Sequence, residues 1–105
     1  MDTVFLINAQ FPAGSLVMTR GVADLADEDS EFANFVQKCL LRHFKKDWGD
    51  VDAEDKHSND HALKYGDRIL SAYNDPRYTG HGVASLWIIT EADCSATTIL
   101  FPDEY

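Results

Sequence analysis

Basic side chains are scarce. Nine Lys and Arg stand against 18 Asp and Glu, for a formal charge of −9. Such a balance repels phosphate backbones, so direct nucleic-acid binding is not expected. The basic cluster of Lys38, Arg42, Lys45 and Lys46 makes only a weak footprint. Cysteine is nearly absent too. Cys39 and Cys94 lie far apart in no CxxC or zinc spacing, and Cys39 falls on an apolar helical face as a small core residue. No apolar run approaches the ~20 residues of a membrane helix, and no basic region precedes an apolar stretch. A soluble protein of the producing cell's cytoplasm is therefore expected. The chain has no Walker loop, GxSxG elbow, dinucleotide fingerprint, internal repeat or low-complexity tract; Gly80-His81-Gly82 is too short to count.

What is present suits one domain. The chain has 105 residues, 45% hydrophobic and 26% charged, and chains of this length bury about two-thirds of their unfolded surface. Residues 3–7 and 15–19 read as short strands separated by the turn formers Phe11-Pro12-Ala13-Gly14. Phe32, Phe35, Val36, Cys39, Leu40 and Phe44 repeat at helical spacing and predict a helix over about 30–45. Glu31 near its start and Arg42, Lys45 and Lys46 near its end suit the helix dipole. Residues 53–65 predict a second, largely polar helix with Asp52 as N-cap and Gly66 as the left-handed stop. Strands over 68–73, 84–90 and 95–101 complete the pattern as an antiparallel β-meander. The predicted fold is α+β: two N-terminal strands, two helices and three C-terminal strands, one layer of helices on a sheet. Phe32, Phe35, Val36, Leu40, Trp48, Leu70, Trp87, Ile89 and Leu100 are its expected core.

Chemistry-bearing residues are scattered. His57 and His61 stand four apart on the second helix, as in zinc-binding helices, but the HExxH glutamate is missing, so no metal is expected. A general acid–base site would draw on His43, Asp47, Asp50, Glu91 and Asp93, which spacing alone does not bring together. Cys94 and Ser95 lack the base and oxyanion hole of a nucleophile. Arg68, Ser71, Tyr73, Thr90, Glu91 and Ser95 could line one sheet face with His43 and Asn59 above it. Two acidic runs dominate the surface: five carboxylates over 24–31, and six over 47–60 against one Lys.

The stretch WIITEADCSATTILFPDEY, from Trp87 to Tyr105, resembles the C-terminus of small "plasmid-related" hypothetical proteins of bacterial plasmids, integrative elements and prophages, whose pattern is WIITEADRSATTxLLPEEY. Cys94 stands where that pattern has arginine. Phe11-Pro12 through Thr19 resembles FPxGxxxxT, and Arg42-His43 with Asp47-Trp48-Gly49-Asp50 resembles RHxxGDWGD. Glu54-Asp55, Asn59, Ala62-Leu63, Gly66, Arg68 and Leu70-Ser71-Ala72-Tyr73 resemble EDxxxNxxALxxGxRxLSAY. The resemblance covers most of the chain and implies accessory cargo of mobile DNA in a bacterial host; it does not call for His57 or His61.

Two function classes follow. One is a small interaction protein that binds and restrains a host protein machine, with an anti-defence inhibitor as one version. Its partner would present a basic surface to Asp24, Asp27, Glu28, Asp29, Asp50, Asp52, Glu54 and Asp55. The alternative is a small enzyme with a His/carboxylate pocket drawn from His43, Asn59, Arg68, Ser71, Tyr73 and Glu91. Neither implies a cofactor.

Overall fold

The computed structural model describes residues 11–74 and 85–105; the expected strand over 3–7 lies outside them. The apolar stripe forms α2 (Ser30–Phe44), which buries Phe32, Val36, Cys39, Leu40, His43 and Phe44. Asp29 starts it, its carboxylate accepting from the amides of Glu31 (2.9 Å) and Phe32 (3.2 Å). The second predicted helix is α3 (Ala53–Tyr65): Asp52 accepts from the Asp55 amide at 2.8 Å, and Gly66 ends the helix at φ 75°. It buries only Asn59 and Ala62, so packing contributes little to it.

Between the strand β1 (Ser15–Met18) and α2, the structure adds a helix that the sequence reading lacks, α1 (Arg20–Glu28). Val22, Leu25 and Ala26 give it an apolar face at helical spacing that meets the core, but its end signals are poor. The Thr19 side chain does not cap it, Arg20 sits at the positive end, and Asp27 and Glu28 sit at the negative end, opposite to dipole preference. Its cap comes from 85 residues downstream, where Glu104 accepts from Thr19 Oγ1 at 2.6 Å and from the Gly21 amide at 3.0 Å. A Cβ on Gly21 would meet that carboxylate. No window of neighbouring residues encodes such a contact.

The remaining strands are β2 (Ile69–Tyr73), β3 (Leu86–Thr90) and β4 (Ala96–Leu100), followed by a short 3-10 helix, Pro102–Glu104. The sheet order is β1-β4-β3-β2. β2, β3 and β4 form the expected antiparallel meander, but β1 lies parallel to β4, with Ser15 opposite Ala96. The sheet is therefore mixed, and among the described residues three helices rather than two share its core.

One sheet face meets the helices through Ile69, Tyr73, Leu86, Ile88 and Ile99, which cluster with Val22, Phe32, Val36, Leu40, Phe44 and Trp48. The expected core residues Leu70, Trp87, Ile89 and Leu100 alternate onto the opposite face. Ile89 and Leu100 are buried there, while Leu70 and Trp87 are only half-buried, as is Phe35 on α2. The cause is apolar residues at both parities, as in Ile69-Leu70 and Trp87-Ile88-Ile89; with period two, a shift of one residue exchanges the faces.

Candidate functional site

His43, projecting from α2 into the sheet, is fully buried together with Ser71, Thr90 and Thr97. Its Nδ1 lies 2.6 Å from Ser71 Oγ and its Nε2 2.9 Å from Thr90 Oγ1. Thr90 Oγ1 in turn lies 2.9 Å from Thr97 Oγ1, which donates to the Ala13 carbonyl at 2.8 Å. These contacts assign every proton. Thr97 has one hydroxyl proton and gives it to Ala13, so it accepts from Thr90. Thr90 has then spent its proton and accepts from His43 Nε2–H. Burial pushes the His43 pKa down to about 3, so the ring is neutral, and Nδ1 accepts from Ser71. The chain runs one way: Ser71 to His43 to Thr90 to Thr97 to Ala13.

The Ser71–His43 contact has the geometry of a nucleophile and its base. The rings of Phe11, Phe44 and Trp48 close around the imidazole at centroid distances of 5.5, 5.1 and 5.6 Å, and neither partner is exposed. Among the described residues, no hydrogen bond or ion pair joins Asp50, Glu91 or Asp93 to His43. In this geometry the chain fastens α2 to β2, β3 and β4.

The other polar candidates are placed around this centre without converging on it. Tyr73 is buried and donates to the Asp47 carbonyl at 2.8 Å, and burial raises its pKa. Asp47 accepts from Arg42 Nε at 2.7 Å and Nη2 at 3.2 Å, a two-pronged pair that lowers the Asp47 pKa and raises that of Arg42. Asn59 grips the outer edge of β2, donating to the Leu70 carbonyl (2.7 Å) and accepting from the Leu70 amide (3.2 Å). Further along that edge, the Asp50 amide donates to the Ala72 carbonyl and the Ala72 amide to the Trp48 carbonyl, while the Asp50 carboxylate accepts from the Asn74 amide. Gly49 makes this approach possible at φ 74°, since a Cβ there would overlap the Ala72 carbonyl and the Tyr73 ring. Arg68 donates to the Tyr105 hydroxyl at 2.7 Å, and Tyr105 packs edge-on against Trp87. Arg68 and Asn59 also meet Asp55 and Ser58 at an open hollow of about 270 Å³. Glu91 is half-buried at the end of β3, its amide bonded to the Ala96 carbonyl.

The acidic candidates divide. Asp29 and Asp52 are helix caps and Asp50 is engaged at the β2 edge. Asp24, Asp27, Glu28, Glu54 and Asp55 are exposed. Among the described residues the one ion pair is Arg42–Asp47, and no cluster of three or more His, Cys, Asp or Glu could hold a metal. His57 and His61 are exposed, with His61 stacked on Tyr65 at 4.3 Å. No described helix is long and apolar enough to cross a membrane.

Sequence reasoning missed Thr97 and Glu104. Thr97 stands directly opposite Thr90 in the β3–β4 register, so pairing the two strands would have found it. Glu104 acts on the distant start of α1 and carries no local signal.

The described residues form three α-helices and a four-stranded mixed sheet, an α+β arrangement around a buried polar centre. No protein-family model, curated protein or solved structure matches the chain.

Proposed function

We propose that this chain is a small interaction protein, accessory cargo of a mobile element or phage, that binds and restrains a host protein machine. The observation that carries the reading is the charge on α1. Asp27 and Glu28 occupy its last turn, and both are exposed with no hydrogen bond or ion pair among the described residues. Charge that engages nothing within the fold is free to meet an oppositely charged surface. With Asp24 they form an acidic rim suited to a basic protein surface. The best-equipped catalytic side chain, His43, has both ring nitrogens committed inside the core, which favours binding over chemistry.

Affinity capture from lysates of bacterial hosts tests the proposal. The expected result is a defined partner whose association rate falls steeply with salt, as the Debye length shrinks from about 10 Å at 0.1 M to about 3 Å at 1 M. For the anti-defence version, expression should restore plasmid or phage establishment in a host that otherwise excludes them. A monodisperse protein that captures nothing from several hosts would count against the reading.

A further inference from the structure

The two edges of the sheet end differently. On β2, the backbone groups that Leu70 and Ala72 turn outward are taken up by Asn59, Trp48 and Asp50. On β1, the bonds from Ser15 N to Ser95 O and from Thr19 N to Ile99 O set the phase of the ladder. Leu16 and Met18 therefore turn their N–H and C=O away from β4, and no described residue bonds to these groups. The sequence Ser-Leu-Val-Met contains no charge, proline or bulge of the kind that protects natural edges. Val17 and Met18 are 45% and 48% exposed.

An apolar groove of about 160 Å³ runs beside this edge, lined by Leu16, Met18, Ala26, Val36, Leu40 and Ile99. It has room for one branched aliphatic side chain. Ala26 in its lining is followed along α1 by Asp27 and Glu28, both exposed. A second copy of this chain would bring a charge of −9 against −9, whereas a basic segment is attracted.

We propose that β1 is the docking edge to which a partner's extended segment, apolar at alternate positions and flanked by Lys or Arg, adds as a further strand. Backbone bonds to Leu16 and Met18 supply affinity, the groove takes one apolar side chain, and the α1 carboxylates select the basic flank. This deepens the interaction-protein reading and rests on it for the existence of a natural partner.

The probe is a synthetic peptide of alternating valine and threonine with two lysines at each end, added to the full-length, isotopically labelled protein. Leu16 and Met18 amides should then exchange at least about tenfold more slowly. The same peptide N-methylated at its bonding amides, or flanked by glutamates, should bind at least about tenfold more weakly. Met18→Pro removes an outward N–H and spares the ladder to β4, so it should weaken binding while the fold persists. Met18→Lys keeps the backbone, repels the basic flank, and serves if the proline variant fails to fold. Unchanged Leu16 and Met18 amides, or equal binding of the glutamate-flanked peptide, would overturn the proposal. So would a concentration-dependent dimer that protects these amides without peptide, since the occupant would then be a second copy. Lysate capture that survives Met18→Lys but is lost on neutralising α1 would overturn strand addition and leave the interaction reading standing. Peptide addition at β1 with nothing captured from any lysate would support strand addition and sink that reading instead.

Discussion

The polar residues at the centre of the molecule and the carboxylates of α1 answer to opposite demands. His43, Ser71, Thr90 and Thr97 are fully buried, and the contacts among them account for every proton. Asp47, Asp50, Asn59 and Glu104 each accept or donate at a defined place on a helix end or strand edge. Asp24, Asp27 and Glu28 hold nothing among the described residues and are exposed. The difference separates the groups that build the fold from those that the proposed binding role would use. Groups engaged in the interior can be altered only at a cost to the fold, whereas groups left in water are free to meet something else.

The largest expected effect lies on the building side. Gly49→Ala forces a Cβ into the Ala72 carbonyl and the Tyr73 ring at a left-handed φ. It should destabilise the fold by at least about 3 kcal/mol in denaturant unfolding. A variant with wild-type stability would mean that the Gly49–Ala72 bridge does not form. Next in size is Thr97→Val, which keeps the shape but strips the proton from Ala13 and the acceptor from Thr90. One buried and one half-buried group left unsatisfied should cost about 1–3 kcal/mol, and Thr97→Ser should recover most of it. If valine were neutral, the one-way chain would be wrong.

Acid sharpens the same contrast. The His43 pKa is about 3 in the fold and 6.5 when unfolded, so above pH 6.5 both states are neutral and pH has no purchase on it. Below 6.5 the unfolded chain binds a proton that the folded one refuses, and stability should fall by about 1.4 kcal/mol per pH unit. This decline begins above the carboxylate range. Asp47 is lowered by Arg42; for Glu104, burial pulls upward but the bonds from Thr19, Phe101 and Gly21 outweigh it. Both add a second loss as pH drops through their folded values, beneath 3.8 and 4.5. Ring-nitrogen shifts should report His43 as neutral, protonated on Nε2, at pH 5. A flat stability profile between pH 6.5 and 5 would show that water reaches the ring.

Legibility in the sequence followed the range of the interactions. α2, α3, Asp52 and Gly66 could be read because periodicity, caps and left-handed stops act over a few residues. β2, β3 and β4 were legible for the same reason. The stripe of Val22, Leu25 and Ala26 in α1 was legible in the same way and was missed, whereas its capping carboxylate comes from distant Glu104 and the parallel pairing of β1 with β4 spans almost the whole chain. Face assignment failed where both parities were apolar, which sent Leu70 and Trp87 to the wrong side. Of the candidate site, His43, Ser71 and Thr90 could be placed on one sheet face. Only three-dimensional burial revealed that they form a closed chain rather than an open pocket.

The smallest effect on stability is expected at α1, and its contrast with the effect on binding is the informative part. Asp24→Asn, Asp27→Asn and Glu28→Gln preserve side-chain size and remove three negative charges. They leave Asp29, the cap of α2, untouched. Surface changes away from specific contacts stay within about 0.5 kcal/mol, and here the negative end of α1 and the positive end of α2 meet at Asp29 and act on Asp27 and Glu28 with opposite sign. The triple variant should therefore melt close to the parent temperature at low and high salt alike. Its affinity for the basic partner should drop, and the remaining binding should depend less on salt. A variant that keeps its stability and loses the partner would place these three residues on the binding side of the division. One that loses stability while binding normally would return them to the building side and leave the β1 edge without its selecting charge.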